Sequence, residues 1–201
     1  MPTILQLSSL DHGKSFSDEE LEQAEYEPGY KYEVIQGTLY VTPAANLPHD
    51  FFEKSLLRRL WEYSLSHPQE IGWISDKARV YVPGSRRTTV PEPDLALYRV
   101  KPRGRSEAHW RDLSPFVVIE LLSEGTADKD LVRNVELYLQ VPSILEYWVF
   151  DLNENATAGL IVFRRVNDEW QKLPITDNIY LPELLPGLKV PTRIEFLEEN
   201  N

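Results

Sequence analysis

The sequence predicts a mixed α/β fold of the α+β type, in which a mixed central sheet is flanked by helices. Two observations lead to this prediction. Residues 51–66 and 128–140 place apolar side chains at helical spacing. The nearly continuous apolar run over residues 116–122 is typical of a central strand that is covered on both faces. Further segments give the order helix, strand, strand, strand, helix, strand.

The first third of the chain predicts two smaller elements. A short helix over residues 17–25 begins with a capping-box pattern, in which Ser17 is followed three residues later by Glu20. Residues 30–42 are rich in aromatic and β-branched side chains and are interrupted by Gln36-Gly37. This pattern predicts an N-terminal β-hairpin.

The later strands are separated by turn-forming residues. Residues 71–82 and 90–98 are predicted strands on either side of the polar turn Pro83-Gly84-Ser85. Another buried strand is predicted over residues 146–150, and a C-terminal hairpin extension follows it. The strands of that hairpin are predicted at 160–166 and 170–173. Because no Gly/Ser-rich linker divides the chain, we expect one domain over residues 1–201.

The composition excludes several kinds of chemistry. Cysteine is absent, so disulfides, thiolate zinc sites and a thiol nucleophile are all excluded. The N-terminus has no basic leader, and no window approaches the roughly 20 apolar residues of a membrane-spanning helix. These features predict a cytoplasmic protein that does not bind membranes.

Charge is distributed unevenly along the chain. The net charge of −11 argues against a standing affinity for nucleic acid, because Lys and Arg make most phosphate contacts. Residues 77–111 nevertheless have nine basic side chains against three acidic ones. The basic members of this basic stretch are Lys77, Arg79, Arg86, Arg87, Arg99, Lys101, Arg103, Arg105 and Arg111. The stretch is either a solvated loop or a surface that binds nucleic acid, most simply DNA.

Asp94 and Glu120 are the candidate chemical groups. Asp94 opens one predicted strand after Pro93, and Glu120 stands alone in the apolar run of the next strand. A carboxylate loses its hydration when it is buried, so Glu120 requires a partner. That partner is either an Arg in a structural salt bridge or a divalent cation shared with Asp94, since adjacent strands could bring the two carboxylates together around Mg²⁺.

Several motifs resemble a bacterial family of restriction-endonuclease-like proteins within the PD-(D/E)XK nuclease superfamily. The resemblance runs from about Tyr30 to Asp151, and it implies a restriction-endonuclease-like core over about residues 30–151. The segments that carry it are Tyr32-Glu33-Val34-Ile35-Gln36-Gly37, His49, Pro91-Glu92-Pro93-Asp94-Leu95, Val118-Ile119-Glu120-Leu121-Leu122-Ser123, Thr126, Asp130, Tyr138 and Glu146-Tyr147-Trp148-Val149-Phe150-Asp151.

The resemblance implies a metal-dependent phosphodiesterase. Asp94, Glu120 and the carbonyl oxygen of Leu121 would hold Mg²⁺ or Mn²⁺, which would polarise the scissile phosphate and activate a water. Glu33 and His49 match positions that the family keeps, so Glu33 would complete the acidic cluster and His49 would contact a phosphate or water. An exposed strand Glu and a helix-capping His are the alternatives. A homodimer would suit double-strand cleavage.

One departure concerns the superfamily's lysine. Its usual position is Leu122, and the family's displaced position on the following helix is Asn134, which carries no charge. At about 100° per residue Asn134 faces the sheet, whereas Lys129 lies about 140° away and is a poor substitute. The other candidate cations are Arg133, Lys77 and Arg79.

Three functions remain open on these grounds. The leading one is a Mg²⁺-dependent endonuclease that hydrolyses phosphodiester bonds of DNA. The alternative is a catalytically impaired nuclease-fold protein that binds nucleic acid or protein, which the acidic net charge and Asn134 favour. A glycosidase with two carboxylates is a third, although the basic stretch around Asp94 does not require it.

Overall fold

The structure is a computed structural model that describes residues 4–44, 46–102, 109–122, 129–152, 156 and 159–193. Its α-helices are α1 (Asp18–Gln23), α2 (Leu47–Ser66) and α3 (Asn134–Leu139). Its strands are β1 (Gln6–Leu7), β2 (Glu25–Tyr26), β3 (Tyr30–Ile35), β4 (Thr38–Pro43), β5 (Trp73–Ser75), β6 (Leu95–Tyr98), β7 (Val117–Leu122), β8 (Glu146–Asp151), β9 (Leu160–Val166), β10 (Glu169–Ile175), β11 (Ile179–Tyr180) and β12 (Val190–Pro191). A π-helical turn, Lys129–Arg133, leads into α3.

The central sheet has six strands in the order β10-β9-β8-β7-β6-β5. Strands β7 and β8 are parallel, and the other neighbouring pairs are antiparallel. This confirms the predicted mixed sheet. The predicted order of elements is also present, running from α2 through β5, β6 and β7 to α3 and β8, and the C-terminal hairpin of β9 and β10 extends the sheet.

Helices cover both faces of this sheet. Phe52, Leu56 and Leu60 of α2 belong to one apolar core with Ile119 of β7, whereas Tyr138 of α3 belongs to a second core with other β7 residues. Every residue of β7 is buried. Side chains alternate between the faces of a strand, so Glu120 points to the α3 face, with Val118 and Leu122.

The predicted N-terminal hairpin is formed by β3 and β4. Its turn residues Gln36 and Gly37 both have positive φ, 51° and 78°, as a type I′ turn requires. Tyr32, Val34 and Leu39 bury their side chains in a separate small core with residues of the first 26 positions. Thus the hairpin is not a strand pair of the central sheet but a unit that packs beside it.

Two strands are shorter than the sequence predicted. The predicted strand over 71–82 is regular only in β5, and the one over 90–98 is regular only in β6. Val80 N–H donates to Pro91 O and Val82 N–H to Thr89 O, both at 3.0 Å. Pro91 and Pro93 have no N–H to return such bonds, so the segment before Asp94 stays extended without joining the sheet.

Capping residues mark where helices α1 and α2 begin. The capping box of α1 is present, because Ser17 N–H donates to Glu20 Oε2 at 2.7 Å. Helix α2 begins earlier than the predicted residue 51, because Asn46 caps it and Pro48 fits within its first turn. This earlier start puts His49 on the helix. Within the described ranges, no helix is long and apolar enough to cross a membrane.

Candidate metal centre

Asp94 and Glu120 lie side by side, Asp94 directly before β6 and Glu120 within the antiparallel neighbour β7. Leu95 of β6 is opposite Ile119 of β7. Because the two strands are antiparallel, Asp94, which precedes Leu95, lies opposite Glu120, which follows Ile119. Both carboxylates are buried, with 5% and 1% of their residue surface exposed. The backbone N–H of Leu121 donates to Asp94 Oδ2 at 2.7 Å. The predicted pair is therefore brought together, on the same face of the sheet.

Lys31 from the hairpin binds both carboxylates. Its Nζ lies 2.7 Å from Asp94 Oδ1 and 3.7 Å from Glu120 Oε2. The two oxygens can be no farther apart than the sum of those distances, which is below the roughly 8 Å beyond which one cation could not reach both carboxylates. A single cationic group therefore already bridges the pair, which is the geometry that a shared metal ion would require.

His49 approaches the same pair from α2. Its Nε2 lies 3.5 Å from Asp94 Oδ2 and 3.3 Å from Leu121 O. Both neighbours are acceptors, so Nε2 carries the hydrogen. Its buried Nδ1 has no hydrogen-bond partner among the described residues. Burial lowers the pKa of His49, but the hydrogen bond and charge of Asp94 outweigh burial and raise it overall.

Glu53, four residues after His49, completes a set of potential metal ligands. Ligand atoms of His49, Glu53 and Asp94 lie within 4.8 Å of one another. Helical spacing of four residues puts His49 and Glu53 on the same side of α2. Burial is the main cause that raises the pKa of Glu53. Carboxylate and carbonyl oxygens suit Mg²⁺ and Mn²⁺, and the imidazole widens the choice to later transition metals.

Glu33 lies behind Glu120 in a second group of charges. Its carboxylate accepts from Arg133 at 3.1 and 3.2 Å and lies 3.4 Å from Lys129 Nζ, while the backbone N–H of Glu92 donates to it at 3.3 Å. Burial raises the pKa of Glu33, but the charges of Lys129 and Arg133 outweigh burial and hold that pKa below its usual value. Glu33 is thus buried and ion-paired, not an exposed strand residue.

The buried side chain of Asn134 hydrogen-bonds two acidic residues. Its side-chain N–H₂ donates to Glu120 Oε1 at 3.0 Å and to Asp130 Oδ1 at 3.2 Å, and its Oδ1 accepts from Arg133 at 3.0 and 3.1 Å. Tyr138 O–H adds another donor to Glu120 Oε1, at 3.2 Å. All hydrogen-bonding atoms of the Asn134 side chain are engaged, so its role here is to orient Glu120.

Lys129 reaches the site despite the angle that argued against it. Its Nζ lies 3.4 Å from Glu33 and 3.7 Å from Asp130, and its charge acts on Glu120. The angular argument assumed α-helical spacing, whereas residues 129–133 form a π-helical turn with wider spacing. Lys129 therefore pairs with Glu33 and Asp130, and the expectation that it is a poor substitute for the missing lysine stays a prediction.

The two central carboxylates differ in protonation. Burial raises the pKa of Asp94, but Lys31 and His49 together hold it far below its usual value. Burial is also the largest influence on Glu120, and there it prevails over Lys129 and Lys31, so its pKa lies well above the usual value. Without another cation, Asp94 is the ionised member of the pair and Glu120 binds a proton more readily.

A cleft of about 1050 Å³ opens above Asp94, His49 and Glu53. Its acidic lining residues are Glu22, Glu27, Asp50, Glu53, Asp76, Glu92 and Asp94. Its Lys and Arg lining residues are Lys31, Lys54, Lys77 and Arg79, and its aromatic ones are Tyr26, Tyr30, Tyr32 and Trp110.

Only part of the basic stretch faces this cleft. Of its described members, Lys77 and Arg79 line the cleft. Arg99 instead pairs with Glu70 at 2.8 Å on another part of the surface. Four residues quoted from the sequence lie outside the described residues: Arg103, Arg105, Ser123 and Thr126. Nucleic-acid binding by the basic stretch stays a prediction.

Comparison with known proteins places this chain in a family. A family model named Uma2, described as "Putative restriction endonuclease", matches residues 18–193. The chain belongs to the Uma2 family. A solved structure of a "putative nuclease belonging to DUF820" from Anabaena variabilis is 14% identical, with a TM-score of 0.67 over 92% of this chain and 98% of that chain. At this identity the likeness shows the fold alone. No curated protein matches the chain.

Membership in the Uma2 family confirms the resemblance seen in the sequence. Two members of the site were missed, however. Lys31 precedes Glu33 by two residues, so period-two alternation puts both on one side of β3. Glu53 follows His49 by four residues on α2. Each spacing was visible in the sequence, but neither shows that the hairpin and the helix meet at Asp94.

Proposed function

We propose that this Uma2 family member is a Mg²⁺- or Mn²⁺-dependent endonuclease of the PD-(D/E)XK type that hydrolyses phosphodiester bonds of DNA. One observation carries the proposal. Asp94 and Glu120 are buried neighbours that share the Lys31 ammonium, and Asp94 and Lys31 line a cleft, in a chain of the Uma2 family.

The donor set fits a divalent ion. Asp94, Glu120 and the carbonyl of Leu121 supply oxygen atoms close together, since Leu121 N–H donates to Asp94 Oδ2 and Leu121 O lies 3.3 Å from His49 Nε2. Glu53 adds a carboxylate within 4.8 Å of His49 and Asp94. A bound divalent ion would polarise the scissile phosphate and lower the pKa of a water.

Other side chains of the protein would orient the carboxylates and stabilise charge on the phosphate. Asn134 and Tyr138 hold Glu120 Oε1 by hydrogen bonds, which leaves Oε2 directed at the Lys31 ammonium. Lys31 provides a fixed positive charge beside Asp94, where negative charge would develop on a phosphate during water attack. Its position gives the cation that Asn134 cannot supply.

His49 is suited to hold a proton near the same point. The hydrogen bond and charge of Asp94 raise the pKa of the ring, and Nε2–H is aimed at Asp94 and at Leu121 O. The ring can donate to a phosphate oxygen or to the leaving oxygen from the floor of the cleft. Hydrolysis adds the water oxygen to phosphorus and breaks one P–O ester bond.

A second function is favoured by the completeness of the ion pairs. Lys31 and His49 both face Asp94, so the cluster has counter-charges without a metal. A nuclease-fold protein without catalysis, which binds nucleic acid or protein, would be satisfied by this arrangement. The two functions differ in whether the site binds a divalent ion.

Calorimetric titration of Mn²⁺ into wild type and Asp94→Asn tests the proposal. We expect a binding heat in wild type that is lost in Asp94→Asn, and Mg²⁺-dependent cleavage of a plasmid that is lost with it. Asp168→Asn is the control, because Asp168 is exposed in the turn between β9 and β10. Absence of metal binding in wild type, with plasmid left intact, would favour the function without catalysis.

A further inference from the structure

The cleft above the site has few positive charges for a duplex. Its described lining has seven carboxylate side chains against four Lys or Arg side chains. A duplex is held chiefly by cations on its phosphates, and tight binding commonly uses about 6–10 such contacts. The lining therefore carries the wrong balance of charge for a groove that accepts double-stranded DNA.

Most of the lining cations are already committed. Lys31 pairs with Asp94, and Lys54 pairs with Glu53 at 2.7 Å and with Asp76 at 3.2 Å. Arg79 donates to Tyr26 O–H at 2.6 Å. Among the described residues, Lys77 and Arg79 are the lining cations without an ion pair to a carboxylate, and the Arg79 guanidinium is held by Tyr26 and by Leu21 O. Few phosphates can be neutralised here besides the one at the metal centre.

Aromatic rings form another part of the cleft wall. Trp110 is half-buried, and one face of its ring stacks on Trp73 at 5.7 Å between centroids. Tyr30 is also half-buried and meets Tyr32 edge-on. Arg79 lies 4.0 Å over the ring of Tyr26, which fixes that ring in place. Such anchored rings are the usual platforms for unpaired bases, whose stacking does not depend on sequence.

We propose that the cleft accepts unpaired nucleotides, so that the preferred substrate is a single strand or an unpaired strand end, with bases stacked on Trp110 and Tyr30. The inference rests on the proposed nuclease function and adds the class of substrate to it. Burial of Asp94 and His49 on the cleft floor supports it, because the scissile phosphate must enter the cleft to reach them.

Cleavage of matched substrates tests the inference. The substrates are a 20-nucleotide DNA strand, the blunt duplex of the same sequence and the equivalent RNA strand, each with Mg²⁺ or Mn²⁺. We expect kcat/KM on the single DNA strand to exceed that on the duplex by at least about tenfold. The RNA strand distinguishes a requirement for DNA from a general preference for unpaired strands, since base stacking is common to both.

Substitution of Trp110 gives a second readout. Stacking worth about 1–3 kcal/mol per base corresponds to roughly a 5- to 150-fold rise in KM for the single strand in Trp110→Ala, with kcat little changed. Trp110→Phe should restore most of the affinity, because it restores a ring. Tyr40→Ala is the matched control, since Tyr40 is an exposed aromatic residue that does not line the cleft.

Fluorescence anisotropy of the labelled single strand with Asp94→Asn measures binding apart from cleavage. Loss of that binding in the Trp110→Ala, Asp94→Asn double variant would support the inference even if no nucleic acid were cut, and only the proposed function would then fail. If wild type cuts the duplex as fast as the single strand, the nuclease function stands and the inference is wrong. Absence of any binding by the single strand would also overturn it.

Discussion

Replacing Lys31 with Met removes the charge that joins Asp94 to Glu120 while keeping most of the side chain's length. Lys31 is 23% exposed and Asp94 5% exposed, so the pair is largely shielded from water. Removing one partner of a buried ion pair commonly costs about 3–5 kcal/mol. We expect a loss of about 3 kcal/mol in the free energy of unfolding, because Glu120, with its raised pKa, can take up a proton and soften the effect.

Lys14→Met is a closely matched control for this change. Lys14 pairs with Asp11 at 2.6 Å, nearly the 2.7 Å of the Lys31–Asp94 pair, but the Lys14 side chain is 59% exposed. Exposed pairs are screened by water and contribute little, so we expect a much smaller loss in Lys14→Met than in Lys31→Met. The two variants therefore separate the effect of burial from the effect of distance.

Urea denaturation at pH 7 measures both losses. Asp94 has a lowered pKa and Lys31 a raised one, so both groups are charged at this pH and the contribution of their pair is fully present. Adding saturating Mn²⁺ should narrow the gap between wild type and Lys31→Met, because the ion replaces the missing counter-charge; an ion at 1,000 times its Kd adds about 4 kcal/mol. Equal losses in Lys31→Met and Lys14→Met would refute the reasoning.

Three further predictions concern the charges around Glu120. Glu33→Gln should lower the free energy of unfolding by about 3 kcal/mol at pH 7, since it leaves Lys129 and Arg133 without their shared partner. Because the pKa of Glu33 is lowered in the folded protein, this difference from wild type should vanish as the pH falls through that pKa. Urea denaturation at a series of acidic pH values measures it. Affinity for Mn²⁺ should rise with pH, because the raised pKa of Glu120 lets protons compete with the ion. In calorimetry at a series of pH values, Glu120→Gln should flatten this rise, and an equal rise would contradict the assignment. Asn134→Lys should not increase plasmid cleavage, because Lys31 already supplies the cation and Asn134 is fully buried; a clear increase would show that Lys31 does not fill that role.

The juxtaposition of Asp94 and Glu120 followed from local rules. Two adjacent strands of opposite direction, with side chains alternating between faces, bring the first residue of one beside the interior of the other. The same rules located the hairpin at Gln36-Gly37 and the strand that carries Glu120. For the apolar run that contains β7, the sequence predicted a strand covered on both faces, and every residue of β7 is buried.

The positions of the remaining members of the site depend on tertiary packing and on irregular helix geometry, which hydrophobic periodicity in the sequence does not reveal. Lys31 reaches Asp94 because the hairpin packs beside the sheet, a contact between residues 63 positions apart in the chain. Lys129 reaches Glu33 because a π-helical turn departs from α-helical spacing. The strand predicted over 71–82 ends early because its partner segment has two prolines, which have no N–H to donate. Those prolines lie in another part of the chain, so residues 71–82 taken alone do not show where the strand ends.

The hairpin of β3 and β4 meets the segment before Asp94 through backbone hydrogen bonds of Val34 with Val90 and of Gly37 with Thr88. It meets the rest of the site through the ion pairs of Lys31 with Asp94 and of Glu33 with Arg133. Because it also has a small apolar core of its own, it can detach at a lower free energy than the six-stranded sheet requires to unfold. Detachment would carry Lys31 away while Asp94 and Glu120 stayed on their strands. Amide hydrogen exchange at Val34 and Val90 would then be faster than in β7. The activity of the site would also be lost at denaturant concentrations well below those that unfold the central sheet.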